Sequence, residues 1–467
     1  MIRLRALLAC GPLLLGACSL APKTVMPAPP VPQSWPVGDA YLLQSEAALP
    51  ILSYRQVFTD PRLQKLIDQA LAGNRDLRVA YANVAAARAQ VRVTRSAQFP
   101  EIGVNAGAGY SDSNGSSGAA DFSLRGGVTA FELDLFGRLA NATEAERNRA
   151  LATEAASRTV RIALIAELAN AWAAYGADRD LLKIAEDTAA NARDSVRLTQ
   201  ARLDGGVAPR TDLRQAEQIL ATADDAIAQQ RTALAQDENL IRLLVGGDVD
   251  AALLPASLAE VAPAIAPLPA GVSSDILLRR PDVIEAEYDL RAANADMGVA
   301  RARLFPSVSL TGLLGFASDA LSGLFDSGSF GWSAGGDASA TIFDAGGRRA
   351  GVAVSEAQRD AALGAYEGAI QTAFRETADA LAVQGTIAER VRAAAANSEA
   401  AADTATLTEA RYRGGIDSFL ASLDAQRSLY AARRSEIVTQ LLLVQTRIAL
   451  FGALGGDSSA GATALTP

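Results

Sequence analysis

Apolar positions along this chain keep two different periods, and the switch between them occurs twice. Leu77, Val84 and Val91 are spaced by seven, as are Val283, Leu290, Met297 and Leu304, the interval that returns side chains to one helix face and makes a packing seam. Each run ends at a Phe-Pro pair, Phe99-Pro100 and Phe305-Pro306. Proline lacks an amide donor and drives its predecessor toward extended backbone, so each pair predicts a helix stop. Beyond it the period falls to two. Ile102, Val104, Ala106, Ala108 and Tyr110 alternate with small or polar residues, followed by Phe122, Leu124, Val128 and Ala130. The second copy has Val308, Leu310, Leu314 and Phe316, then Phe330, Trp332, Ala334, Ala338, Ala340 and Ile342. Ser111–Ala120 and Ser318–Ser329 are rich in Ser, Gly and Asp, which predicts two β-hairpins, one in each half.

Strands of about ten residues with one apolar face fit a transmembrane barrel wall. Four strands cannot close a barrel, and an open sheet edge cannot face lipid, so a membrane reading requires several subunits to pool their hairpins. A dimer would supply eight strands and a trimer twelve, and the pattern alone leaves both open, along with a soluble sheet. After each hairpin, Ala142–Leu203 and Val354–Tyr412 are nearly free of Gly and Pro, predicting helices of roughly 90 Å. A glycine pair turns each chain back into a strict heptad seam: Leu213, Leu220, Ile227, Leu234 and Ile241, and then Leu423, Tyr430, Ile437, Val444 and Phe451. Two antiparallel coiled-coil hairpins are expected.

The halves are one unit written twice. Asn74 set against Arg280 (280 − 74 = 206) runs in register to the two Phe-Pro pairs, Asp134 and Arg138 match Asp344 and Arg348, and Gly205-Gly206-Val207 match Gly414-Gly415-Ile416. The expected organisation is a signal peptide over 1–17, an N-terminal segment over 18–60, a first repeat over 61–245, a linker over 246–272, a second repeat over 273–455 and a tail over 456–467.

Composition narrows the chemistry. The chain has 467 residues, no histidine, two cysteines and a net charge of −9, which removes the commonest general base and gives nucleic acid no basic stripe to bind. Arg3 and Arg5 precede an apolar run, Ala6–Ala17, too short to span a bilayer. It ends in Leu15-Gly16-Ala17-Cys18, which resembles the lipobox of bacterial lipoproteins and implies acylation of Cys18. Ser19, where an inner-membrane retention signal would favour Asp, points to the outer membrane. Cys10 lies in the segment to be removed, so no disulfide or cysteine metal site is expected, and Glu132 and Asp134 are read as no convergent catalytic pair. Nothing after residue 18 reads as a transmembrane helix.

One further stretch is specific to a family: Leu278-Arg279-Arg280-Pro281-Asp282-Val283 through Glu285-Ala286-Glu287, then Gly298–Ala302 and Phe305–Gly312. With Ala410-Arg411-Tyr412, Leu423–Arg427 and Ala453–Gly456, it resembles the TolC-like outer-membrane factors, specifically the NodT or RND efflux lipoproteins. The resemblance implies a homotrimer whose twelve strands form one barrel, continued by a long helical periplasmic barrel. It implies a passive exit duct for small molecules, with a periplasmic adaptor and an inner-membrane RND-type pump as partners, no cofactor and no catalysis. Leu420, Asp424 and Arg427 match the family's periplasmic gate, and Gly205, Gly206, Val207, Gly414, Gly415 and Ile416 its adaptor-docking tips. Pro209–Arg214 departs from the family pattern at the first tip. Two competing expectations are a duct for type I protein secretion and a lipid-anchored periplasmic coiled-coil scaffold.

Overall fold

A computed structural model describes residues 20–22, 28, 30–32, 34–36, 38, 40–41, 53–111, 119–267 and 274–456. The expected signal peptide, the anchor Cys18, most of the first strand-to-strand loop and residues 457–467 of the tail lie outside the described residues. The chain divides into two compact units, and each draws on both sequence halves. One takes Ala82–Ala155 and Ile284–Gly368; the other takes Pro30–Tyr81, Ala156–Val283 and the chain from Ala369 onward.

The first unit holds the sheet. Strands β1 (Ile102–Ser111), β2 (Ala119–Leu133), β3 (Ser307–Ser318) and β4 (Phe330–Ser339) pair antiparallel in the order β1-β2-β3-β4. The two hairpins join through β2 and β3, from Phe122 opposite Ser318 to Leu133 opposite Val308. A bulge between Val128 and Phe131 interrupts this register, with Ala130 at φ 56° and its amide donating to Thr311 Oγ1 at 3.2 Å. At Gly127 (φ 149°) a Cβ would stand 2.1 Å from the Gly312 carbonyl oxygen, so only glycine lets the strands approach this closely. Strands β1 and β4 are exposed along their whole length. The last strand ends before the sequence pattern does: Ala340 and Ile342, expected in β4, lie beyond Ser339. There the chain turns through Ala345 (φ 52°) and Gly346 (φ 88°), and leaving the ladder frees Ile342 into full exposure.

Eight helices longer than one turn are described: α1 (Pro61–Gly73), α2 (Arg75–Ser96), α3 (Arg138–Asp204), α4 (Arg210–Val245), α5 (Leu258–Ala264), α6 (Pro281–Ala302), α7 (Gly347–Arg413) and α8 (Phe419–Ala453). Helices α3 and α7 have 67 residues each, about 100 Å at 1.5 Å per residue. The same device starts both: Asp134 Oδ2 accepts the Ala140 amide at 2.7 Å, and Asp344 Oδ2 accepts the Arg348 amide at 3.0 Å. A carboxylate at a helix start satisfies orphan amides and favours the positive end of the dipole.

The second unit is helical. Leu213, Ile227, Leu234 and Ile241 are buried in the α3–α4 hairpin, and Leu220 packs against Ala185, Ala189 and Ala223. Alanine on the facing helix lets the backbones approach, and each buried leucine contributes about 1.5–3 kcal/mol. In the α7–α8 hairpin Leu423, Val444 and Phe451 are buried while Tyr430 and Ile437 are half-buried. By length and composition α8 is apolar enough to cross a membrane, a property the sequence reading missed; its Leu423, Val444, Ile448 and Phe451 are packed within the chain. Segment 246–267 folds onto this unit. Trp172, fully buried, donates from Nε1 to the Leu253 carbonyl at 2.9 Å, and Phe58 bridges Ile265 and meets the edge of Phe451 at 5.1 Å. In the N-terminal segment, Trp35 stacks on Phe374 of α7 at 5.0 Å.

The two repeats close in the same way. In the first, Asn74 Nδ2 donates to the Leu244 carbonyl at 3.0 Å near the end of α4. In the second, the equivalent Arg280 donates from Nη1 to the Ala453 carbonyl at 3.2 Å, at the end of α8. Both carbonyls are orphans of a helix C-terminus. Arg280 also binds Asp282 at 2.6 Å and Glu376 at 2.8 Å. Burial works against its charge, but the two carboxylates outweigh it and hold the guanidinium above its ordinary value.

Candidate gate and docking tips

Each long hairpin turns through a double glycine, and hydrogen bonding explains the pair. At the first tip the Val207 amide reaches back to the Arg202 carbonyl at 2.9 Å and the Gly206 amide to Leu203 at 2.9 Å. At the second, Ile416 reaches Arg411 at 2.9 Å and Gly415 reaches Tyr412 at 3.0 Å. This is the Schellman closure, which needs a left-handed residue after the helix. Gly206 (φ 70°) and Gly415 (φ 74°) supply it. Gly205 and Gly414 continue the helical bonding, to Ala201 at 3.1 Å and Ala410 at 3.0 Å. The turn leaves Val207 and Ile416 as exposed apolar side chains, 77% and 68% accessible. The second tip has an extra brace: Arg411 grips Asp417 through two bonds of 2.6 and 2.9 Å. The first tip has Ala208 at the equivalent position (417 − 209 = 208).

Behind the tips the hairpins are tied by a contact that sequence reasoning did not find. Arg202 lies over the Tyr412 ring at 4.4 Å and donates to the Tyr412 and Arg413 carbonyls, each at 3.4 Å. Tyr412 packs with Phe419, Leu423 and Ala216 in a buried cluster. The available signal was positional: Arg202 stands three residues before its glycine pair, as Arg411 does before Gly414.

Leu420, Asp424 and Arg427 follow on the first turns of α8. Spacings of four and three put them on one helix face, beside the buried Phe419 and Leu423. All three are exposed within the chain, Leu420 at 52%. Asp424 Oδ1 and Arg427 Nη1 are 4.0 Å apart, with half or more of each side chain in solvent. Such a pair is worth about 0–1 kcal/mol by itself. The structure thus gathers the sequence-predicted gate residues into one outward stripe and the predicted tip residues at two hairpin turns.

The two hairpins differ in their cross-helix charges. Between α3 and α4, Arg193 binds Asp224 at 2.7 Å and Arg231 approaches Glu186 at 3.6 Å. The matching positions between α7 and α8 (adding 209, from 414 − 205) are Ala402 with Arg433 and Ala395 with Gln440. Among the described residues no ion pair crosses from α7 to α8 there. Glu132 and Asp134 serve different partners: Glu132 holds Arg138 at 2.5 Å, and Asp134 caps α3. No cluster among the described residues has metal-ligand character.

A family model described as "Outer membrane efflux protein" matches residues 66–247 and again 272–456. The chain belongs to the outer membrane efflux protein family. It is similar to the toluene efflux pump outer membrane protein TtgC of Pseudomonas putida, 40% identical over 456 residues, covering 95% of this chain and 93% of TtgC. It is similar also to the cation efflux system protein CusC of Escherichia coli, 36% identical over 452 residues and covering 96% and 98%. Among solved structures, a membrane protein of Pseudomonas aeruginosa superposes with a TM-score of 0.88 at 35% identity, covering 96% of this chain and all of the other. The open state of the Neisseria gonorrhoeae MtrE outer membrane channel gives 0.84 at 30%, covering 94% and 98%. Membership answers the strand arithmetic. The chain is an outer-membrane channel subunit of a tripartite efflux system: three copies contribute four strands each to one barrel, and helices continue it in the periplasm. The exposed edges of β1 and β4 are the edges that pooling closes.

Proposed function

We propose that this protein is a lipid-anchored exit duct, held at Cys18, that passively conducts small molecules delivered by an RND-type inner-membrane pump through a periplasmic adaptor. The adaptor docks on the tips at Gly205-Gly206-Val207 and Gly414-Gly415-Ile416, and Leu420, Asp424 and Arg427 close the periplasmic end. The duct itself performs no chemistry. Toluene and cations, named for the relatives, are small solutes, which favours efflux over protein export.

The observation that carries the gate is a contrast of the two hairpins. The stripe Leu420-Asp424-Arg427 stands exposed on the hairpin that, among the described residues, has no ion pair at the levels where the other hairpin carries Arg193–Asp224 and Glu186–Arg231. A closed end held by a few weak pairs can be opened by contacts supplying a few kcal/mol. Planar-bilayer recording of the purified mature protein tests it: Asp424→Ala combined with Arg427→Ala raises single-channel conductance above that of the parent. Unchanged conductance from a correctly assembled double variant removes the gate assignment.

A further inference from the structure

Helices α3 and α4 meet along their seam with charged side chains at about one-heptad steps. Arg193–Asp224 is the rung nearest the tip, and Glu186–Arg231 is the next (193 − 186 = 7; 231 − 224 = 7). Continuing away from the tip, the following step brings Asp178 of α3 to Asp237 of α4 (186 − 178 = 8; 237 − 231 = 6), acid against acid. The two carboxyls act on each other across the seam, and Asp237 Oδ2 is sealed from solvent with no hydrogen-bond donor to it among the described residues. Two ionised carboxylates have no donor between them, so this contact requires a proton.

We propose that Asp178 and Asp237 share one proton across the first hairpin and form a pH-sensitive latch, closed in acid and released as the pH approaches neutrality. Burial supports this by penalising charge on both groups. It acts first on Asp237, where the neighbouring Asp178 adds to it and the carboxyl is pushed up to about 7; Asp178 is raised too.

The surroundings leave the pair without a counter-ion. On α3, Tyr175 bonds Glu238 of α4, and Arg179 acts on Tyr175 and Asp180. Asp180 accepts the Leu258 amide at 2.9 Å, Glu260 of α5 is held by Arg62 at 3.0 Å, and Glu238 by Arg242 at 3.1 Å. Arg447 of α8 is committed to the Ala262 and Ile265 carbonyls. Among the described residues no cation lowers either carboxyl. The second hairpin provides an internal control. Its equivalent rung (178 + 209 = 387; 237 + 209 = 446) is Ile387 and Thr446, both buried, so the architecture does not need acids there and only the first hairpin should respond.

The sign follows from linkage. In the opened hairpin both carboxyls return toward the ordinary value of 3.8, so the closed form binds the proton more tightly. The latch is complete below about pH 4, weakens as the pH rises toward about 7, and changes no further above that.

Hydrogen exchange of the full-length trimer, read by mass spectrometry and corrected for intrinsic rates, tests this between about pH 5 and 8. Peptides spanning 171–186 and 230–245 should open several-fold more per pH unit up to about pH 7, with tenfold as the ceiling for one proton. Peptides around Ile387 and Thr446 should be flat. Asp237→Asn removes the more strongly raised carboxyl and keeps a donor to Asp178, and should abolish most of the slope; Asp178→Asn leaves Asp237 buried but without its acidic neighbour, and should reduce the slope. A flat profile in the unmodified protein, an equal slope in both hairpins, or a slope undiminished by Asp237→Asn or by Asp178→Asn overturns the proposal.

Discussion

Replacing Arg280 tests whether the Arg-Pro-Asp string, the most specific in the chain, closes the second repeat. Its side chain is 9% exposed, and the guanidinium binds Asp282, Glu376 and the Ala453 carbonyl. Arg280→Ala removes all three contacts, but their costs differ. Asp282 and Glu376 are 33% and 41% exposed, so water can take them over and each pair is worth about 0.5–1 kcal/mol, not the 3–5 of a fully buried pair. The Ala453 carbonyl keeps a long bond from Thr377 Oγ1 at 3.4 Å, which limits that loss to about 1 kcal/mol. The packed arginine stem adds roughly as much. The expected sum is about 3 kcal/mol per chain, which over 467 residues at about 2.1 cal/mol/K of unfolding entropy per residue is a fall of about 3 °C in the thermal midpoint of the detergent-solubilised trimer by circular dichroism. Arg280→Lys keeps a point charge but cannot span three acceptors, so it should fall between the two. A midpoint within about 1 °C of the parent for Arg280→Ala, or full stability of Arg280→Lys, would refute the argument.

Two other predictions follow from single positions. Gly127→Val places a Cβ where it would stand 2.1 Å from the Gly312 carbonyl. It should break β2–β3 pairing and remove the heat-modifiable trimer on gels, and a normal trimer would show that the strand has another register. Cys18→Ser should abolish acylation, read as loss of the lipid mass from the N-terminal peptide; an unmodified Cys18 peptide from the parent protein would remove the anchor.

Periodicity carried most of the architecture because each period reports a face. The sevenfold rows at Leu213–Ile241 and Leu423–Phe451 became seams, and the twofold rows became four strands. Where the structure departs from the pattern, backbone dihedrals and strand pairing decide. Alternation cannot show that Ala130 takes a positive φ, which breaks β2 at a bulge, or that β4 ends at Ser339 because its partner β3 begins opposite it at Ser307. Partnerships far apart in sequence were the other blind spot. The Asn74–Arg280 match was visible as register, but what it does depends on the carbonyls of Leu244 and Ala453, 170 and 173 residues away. The same applies to Arg202 over Tyr412. At the site, helix spacing grouped Leu420, Asp424 and Arg427 on one face, whereas their role came only from the family resemblance.

Duplication makes the remaining differences informative, because the shared frame cancels. Both repeats start their long helix with an aspartate, turn through a left-handed glycine and tie position 74 or 280 to the closing helix. What differs is the seam. The first hairpin has two opposite-charge rungs and one acid–acid rung; the second has alanine, glutamine, isoleucine and threonine at those levels, apart from Arg433. If the two ion pairs contribute about 0.5–1 kcal/mol each, opening the first hairpin costs about 1–2 kcal/mol more than opening the second, a population ratio of roughly five to thirty. Contacts applied equally to both tips would therefore move the second hairpin first, and that hairpin bears the exposed Leu420-Asp424-Arg427 stripe. Protonation of the Asp178–Asp237 pair would widen the difference in acid, making the first hairpin the fixed side against which the second moves.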